Sequence, residues 1–303
     1  MATTQPYRIR TISEFLQFRD LPKPEHPLIS VYDFKDLEQL REDEPKSILL
    51  DFYAIALKRS INAKMKYGQQ EYDFDEGIMV FISPGQVFSI EAPNTLEHSG
   101  LSLLVHPDFL WNTPLAKTIK KYAFFDYAVH EALLLSEKEE TIVTGIIKNI
   151  DQEYRSNIDD FSQDIIIAQL EVLLNYCDRF YHRQFLTRKI TNHQILERLE
   201  ILLSDYFNSD AAQKGLPTVH HIAESLNVSP NYLSSLLKVL TGKTTQQHLH
   251  DKVIEKAKEK LSTTTLSISE IAYALGFEHS QSFSKLFKTK TSLSPLEFRQ
   301  TFN

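Results

Sequence analysis

Apolar residues change their period twice along this chain. Between Ser47 and Val105 they fall in short runs rich in Ile, Val, Phe and Tyr: Ile48–Leu57, Ile78–Ile82, Val87–Ile90 and Gly100–Val105. Tyr67-Gly68, Glu76-Gly77, Pro84-Gly85 and Pro93-Asn94 supply residues that tolerate turn backbones. The stretch therefore predicts several short strands, as in a small barrel or sandwich. Upstream, to about Pro45, the chain is rich in proline and charge and predicts an irregular arm around one or two strands. Beyond Pro107 the period becomes helical. Glu139–Arg155 and Gln163–Phe185 predict a pair of helices, with Ile142, Ile146, Ile150 and Tyr154 sharing one face of the first. Ile166, Leu170, Leu173, Leu174 and Cys177 share one face of the second. The polar, basic stretch Thr187–His193 predicts a linker, and Ile195–Asn303 is helical in pattern throughout. The expected class is α+β in two domains, residues 1–185 and 195–303, joined by a linker over 186–194.

The last region repeats itself. Val219-His-His-Ile-Ala-Glu-Ser-Leu-Asn-Val-Ser returns near a 49-residue spacing as Ile268-Ser-Glu-Ile-Ala-Tyr-Ala-Leu-Gly-Phe-Glu. Each copy carries Ile-Ala on a short helix (Ile222-Ala223, Ile271-Ala272) and a Leu four residues after the Ile (Leu226, Leu275). A residue able to take a left-handed backbone follows (Asn227, Gly276), then an apolar plug (Val228, Phe277). Second helices then run to Lys238 and Lys288, with Leu233, Leu236 and Leu237 inward in one and Phe283, Leu286 and Phe287 in the other. Short helix, tight turn and second helix make a helix-turn-helix unit. Ser229-Pro230 supplies a capping hydroxyl and a proline at the first helical position. A long helix, Gln246–Leu261, joins the two copies.

These residues resemble the AraC/XylS class of transcription regulators. The resemblance runs through Ser229, Tyr232-Leu233-Ser234, Lys238, Thr241-Gly242, Ala257, Ile271-Ala272, Leu275-Gly276-Phe277, Phe283-Ser284, Phe287-Lys288, Ser294-Pro295 and Arg299. There are departures: Leu237 stands where an aromatic is usual, Lys252 where Arg is usual, and Ser292 where a glycine normally ends the second recognition helix. Ser292 should strain that helix end without removing a DNA contact. The resemblance implies that the helices beginning at Pro230 and His279 enter successive major-groove segments about 34 Å apart. Outward positions are Asn231, Ser234, Ser235 and Lys238 in the first, and His279, Ser280, Gln281, Lys285 and Lys288 in the second. Gln281 suits adenine and Lys285 guanine edges, whereas Lys238 and Lys288 suit phosphate. The first helix has no strong base reader, so specificity should rest on the second. Lys252, Lys256, Lys258 and Lys260 alternate with Asp251, Glu255 and Glu259 and read as spaced pairs along a helix.

The resemblance further implies a cupin-like β-barrel and a dimerising helical pair in residues 1–185. Met79-Val-Phe-Ile-Ser-Pro-Gly-Gln-Val-Phe-Ser-Ile fits a strand, turn and strand of such a barrel, and Leu101–Val105 with His106-Pro-Asp-Phe-Leu-Trp111 fits its exit. Phe52, Tyr53, Phe74, Phe81 and Phe88 would line either a small-effector pocket or a packed core. The apolar faces of the helical pair suit either a second copy or packing onto the barrel.

Composition narrows the function classes. The chain has 303 residues, ample for two cores, and carries a net charge of −7. From Gly215 onward ten Lys/Arg face seven Asp/Glu, a balance of +3 that leaves −10 on the rest. An acidic body with a mildly basic tail suits contact with phosphate at one end. A single cysteine, Cys177, excludes an internal disulfide or multi-cysteine zinc site and suits a reducing cytoplasm. No signal peptide or membrane span is expected. His98 and His106 lie eight apart with His26 nearby and no His-X-His in the β region, so no metal is expected. No nucleophile constellation or glycine-rich phosphate loop occurs, so neither catalysis nor a cofactor is expected. The leading expectation is a cytoplasmic regulator binding double-stranded DNA as a homodimer, with RNA polymerase and a small effector as further candidate partners. Its rivals are a cupin-type enzyme with a fused DNA-binding tail and a protein-interaction module.

Overall fold

A computed structural model describes residues 6–37, 47–60, 65–67, 70–72, 77–89, 98–128, 131–156, 159–187, 189–209 and 215–301. The chain divides into two compact units, 1–184 and 185–303, the boundary falling in the last turn of a helix.

The first unit is built on two sheets. β1 (Tyr7–Ile9), β3 (Ser47–Leu50) and β8 (Val87–Ser89) form a three-stranded sheet in the order β1-β3-β8, with β1 parallel to β3. β2 (Ile29–Asp33), β4 (Tyr53–Ser60), β7 (Ile78–Ile82), β9 (His98–Val105) and β10 (Leu133–Leu134) form an antiparallel sheet in the order β10-β7-β4-β9-β2. β5 (Met65–Tyr67) and β6 (Gln70–Tyr72) pair with each other. Among the described residues these sheets are open, and no closed barrel is present.

Strand alternation assigns the apolar residues of the large sheet to two faces. Ala54, Val80, Ile82 and Leu104 point towards the small sheet and α1 (Ile12–Phe18), where Ile9, Ile48, Leu50, Phe52 and Phe15 complete a core. Phe81 faces the other way, with ring centroids 4.4 Å from Phe124 and 5.7 Å from Phe125. α2 (Pro114–Thr118) follows β9 and α3 (Glu137–Arg155) follows β10, and α4 (Ser162–Thr187) runs on that side, its Tyr181 ring 6.1 Å from Phe81. The Cys177 and Met79 sulfurs meet at 3.6 Å, and the Tyr154 hydroxyl of α3 accepts the Val31 amide of edge strand β2 at 2.9 Å. That bond covers an amide that would otherwise be open to another chain.

Three sequence expectations change here. The aromatics foreseen as one lining separate: Phe52 is buried between the sheets, while Phe81 and Tyr53 pack on the helical side, Tyr53 with its ring 5.0 Å from Phe125. Phe88 packs partly buried against the inter-sheet core, and Phe74 lies outside the described residues. The run Ile48–Leu57 is two strands in different sheets, broken at Asp51-Phe52. Likewise, the Pro84-Gly85 turn, with Gly85 at φ 82°, carries the chain from one sheet to the other. In α3 the buried stripe is Val143, Ile146, Ile147, Ile150 and Tyr154, with Ile142 exposed. The α4 stripe is buried as expected.

The second unit is helical: α5 (Lys189–Asn208), α6 (Val219–Ser225), α7 (Pro230–Thr241), α8 (Thr245–Thr263), α9 (Ile268–Ala274), α10 (Ser280–Thr291) and α11 (Pro295–Gln300). The stretch expected as a linker is thus helical on both sides of residue 188. A single apolar cluster joins Leu199 and Leu203 of α5, the Ile-Ala pairs of α6 and α9, Leu233 and Leu237, Phe283 and Phe287, and the inward stripe Leu249, Val253, Ala257 and Leu261 of α8. Sharing one core makes α8 a structural part of both helix-turn-helix units.

Candidate nucleic-acid interface

Each turn is locked by the same pair of backbone bonds. In the first, the Val228 amide donates to the Ala223 carbonyl and Asn227 to Glu224; in the second, Phe277 donates to Ala272 and Gly276 to Tyr273, all at 3.0–3.1 Å. Asn227 and Gly276 take φ of 58° and 88°, the left-handed region that Asn and Gly tolerate best. Ala223 and Ala272 are fully buried, and the short methyl leaves room for the following helix.

α7 starts with a complete cap. Ser229 Oγ accepts the Tyr232 amide at 3.2 Å, and Pro230 occupies the first helical position. Its end is Gly242 at φ 74°. α10 starts after His279, whose side chain makes no capping bond, and ends at Ser292 with φ 66° and its amide on the Lys288 carbonyl at 2.9 Å. The serine therefore does sit where the backbone favours glycine, as expected from the departure at this position.

The sequence-derived positions are placed as follows. Asn231, Lys238, His279, Gln281, Lys285 and Lys288 are exposed on α7 and α10, while Ser234, Ser235 and Ser280 are half-buried. Ser234 Oγ shares a 3.0 Å hydrogen bond with Thr245 Oγ1, so its hydroxyl is engaged with the start of α8. Behind α10, Phe283 and Phe287 are fully buried, with Phe283 5.5 Å from Phe277 and 5.9 Å from Phe287. That stack fixes the helix from which Gln281, Lys285 and Lys288 project. Along α8, Lys252 pairs with Glu255 at 2.8 Å and Lys256 with Glu259 at 3.0 Å, the spaced pairs foreseen from their alternation. Lys243 and Lys290, not singled out in the sequence, both bond Asp251. The second of these contacts spans 39 residues and has no local signature. A groove of about 400 Å³ is lined by residues of α5 and α8 together with Lys243, and by none of the nine positions above.

Among the described residues no group of three or more His, Cys, Asp or Glu side chains could hold a metal ion. His26 Nδ1 accepts the Leu28 amide, and His106 Nδ1 accepts the Asp108 amide at the start of a 3-10 turn, so both imidazoles serve the backbone. Cys177 is fully buried, and burial pushes its thiol pKa far up, away from nucleophilic use. No described helix is long and apolar enough to cross a membrane.

Comparison with known proteins bears on this same region. A family model described as a helix-turn-helix domain matches residues 222–301. An uncharacterised HTH-type transcriptional regulator from Pseudoalteromonas carrageenovora is 31% identical over 115 residues, 38% of this chain and 64% of that protein. The HTH-type transcriptional activator RhaS of Salmonella paratyphi B is 32% identical over 140 residues, 46% of each chain. Among solved structures, the C-terminal domain of AraT from Geobacillus stearothermophilus is 34% identical, covering 35% of this chain and 84% of that one, with a TM-score of 0.32. The chain thus spans about half to two thirds of the length of these curated relatives. Residues 222–301 of the C-terminal unit match a helix-turn-helix domain.

Proposed function

We propose that the protein is a transcription regulator that binds specific double-stranded DNA through α7 and α10. The observation that carries this reading is the paired geometry itself. Two turns with the same hydrogen-bond pattern, set on one core, present helices with exposed Asn231 and Lys238 on one side and Gln281, Lys285 and Lys288 on the other. In this reading Gln281 and Lys285 meet base edges, while Lys238 and Lys288 meet phosphate. His279 and Ser280 lie at the helix start, where backbone amides also favour phosphate. Asn231, Ser234 and Ser235 contribute positioning more than readout.

The remainder of the proposal concerns residues 1–185: a cupin-like sensing region that takes a small effector and self-associates through α3 and α4. Exposed Ile142 on α3 and Ile165 and Val172 on α4 favour association with a second copy. An effector would act by its different affinity for two arrangements of the protein. Contact with RNA polymerase and a cytoplasmic location belong to the same reading, without catalysis or a cofactor.

The test is equilibrium binding of the full chain to a random duplex pool across a salt series. The proposal expects enrichment of defined sequences and an affinity that falls steeply with salt as counterions are released. Salt-insensitive binding, or no duplex binding by folded protein at low salt, contradicts it and favours a protein-interaction module.

A further inference from the structure

Two lysines stand at the trailing ends of the proposed reading helices. Lys243 follows Gly242, which ends α7, and Lys290 lies in the last turn of α10. Both reach one carboxylate on the connecting helix: Lys243 Nζ donates to Asp251 Oδ2 at 2.7 Å, and Lys290 Nζ donates to Asp251 Oδ1 at 2.8 Å. Each oxygen thus accepts a charge-assisted hydrogen bond from a different helix-turn-helix unit. Partial burial opposes ionisation of Asp251, but the bonds and charges of the two lysines prevail and hold its carboxyl below the ordinary value. The other acids of α8 behave differently. Glu255 and Glu259 pair with lysines three residues away on their own helix.

We propose that Asp251 is a positioning residue that fixes the ends of α7 and α10 against α8. It thereby sets the separation and angle at which the two helices meet a duplex. The inference rests on the DNA-binding reading above. Lys243 and Lys290 hold this frame, and Lys238 and Lys288, earlier in the same helices, remain available to phosphate. The role matters because engagement of the second helix is effectively intramolecular once the first has bound. Its strength then depends on how closely the frame matches the spacing of the two groove segments.

The experiment uses the full chain and the duplex that the unaltered protein enriches from a random pool. Two derivatives of that duplex are added, one with two base pairs inserted between the contacted segments and one with a single segment scrambled. Asp251→Asn is expected to lose about three- to tenfold of the preference for native over lengthened spacing. Binding to the single-segment duplex and the unfolding midpoint should stay close to those of the unaltered protein, and Asp251→Glu should recover part of the preference. If Asp251→Asn does not fold, the pair Lys243→Gln and Lys290→Gln tests the same bridge, because the spacing ratio cancels their general loss of phosphate affinity. Unchanged spacing preference in these variants overturns the inference. So does a uniform gain on every duplex by Asp251→Asn, which would mean that the carboxylate merely withholds two lysines from phosphate. An unaltered protein that enriches no duplex overturns the DNA-binding reading and this inference with it, whereas the preceding outcomes overturn this inference alone.

Discussion

In the first helix-turn-helix unit the chain reverses through Asn227 and enters α7 under a serine cap with proline behind it; α7 ends on glycine. In the second it reverses through Gly276, enters α10 after an uncapped histidine and ends on a serine held at φ 66°. Their exposed faces differ in the opposite sense. α7 offers exposed Asn231 and Lys238 beside half-buried serines, one of them bonded to α8, whereas α10 offers exposed Gln281, Lys285 and Lys288. The second helix with better local termini, α7, has fewer groups able to discriminate bases, and α10, with the richer chemistry, relies more on its aromatic core. In the proposed reading, one turn geometry would serve two tasks, placement in the first unit and readout in the second.

That contrast can be broken at several points. The largest effect belongs to the core: Phe283→Ala should cost about 3–5 kcal/mol, because it removes a fully buried ring from the stack behind α10. Chemical denaturation measures it; a loss below 1 kcal/mol would mean that the stack does not hold the second unit. Next come the contacts. Gln281→Ala and Lys285→Ala should each relax base preference by about 1–3 kcal/mol at their own positions, while Lys288→Ala weakens all duplexes alike and lowers the salt slope by about one. Equal losses on every sequence for all three would remove the distinction between reading and holding. Corresponding changes at Ser234 and Ser235 should alter preference less.

Smaller effects lie at the helix ends. Ser229→Ala should lower stability by about 1 kcal/mol, whereas His279→Ala should change little. Ser292→Gly should raise stability by about 1 kcal/mol by relieving a left-handed serine, and Gly242→Ala should lower it similarly. Nothing lies within 4 Å of the added Cβ at Gly242, so only backbone strain acts there.

The smallest effect depends on pH. Glu270 closes a capping box at α9; hydrogen bonds from the Ser267 backbone and side chain hold its pKa below the ordinary value. Its contribution is present above the unfolded carboxylate pKa and is lost as pH falls through the folded one. In α6 the equivalent third position is His221, so acid should loosen α9 and leave α6 unaffected by this route. Amide exchange in the two helices at pH 3 and 6 checks it, and Glu270→Gln should abolish the difference.

The repeat was legible in the sequence because its turn admits few residues. Ile-Ala, a Leu, then Asn or Gly, then an apolar plug specify both a close helix approach and a left-handed residue, and both copies fold that way. Less constrained patterns were misread. Ile142 and Val143 differ by one position, and period alone could not decide which of them turned inward. The break at Asp51-Phe52 depends on contacts from elsewhere: Arg8 pairs with Asp51, and the Gly85 amide donates to the Leu50 carbonyl. Aromatic strand residues revealed that a core exists but not which sheet face each would take. The Asp251–Lys290 contact could not be read at all, because its partners meet only through the fold.

Footprinting on the enriched duplex tests the central claim most directly. Two protected major-groove segments on one face, centred about one helical turn apart, are the expected result. Protection of a single segment by folded protein, or two segments at no fixed separation, would contradict a protein that reads DNA with both units at once.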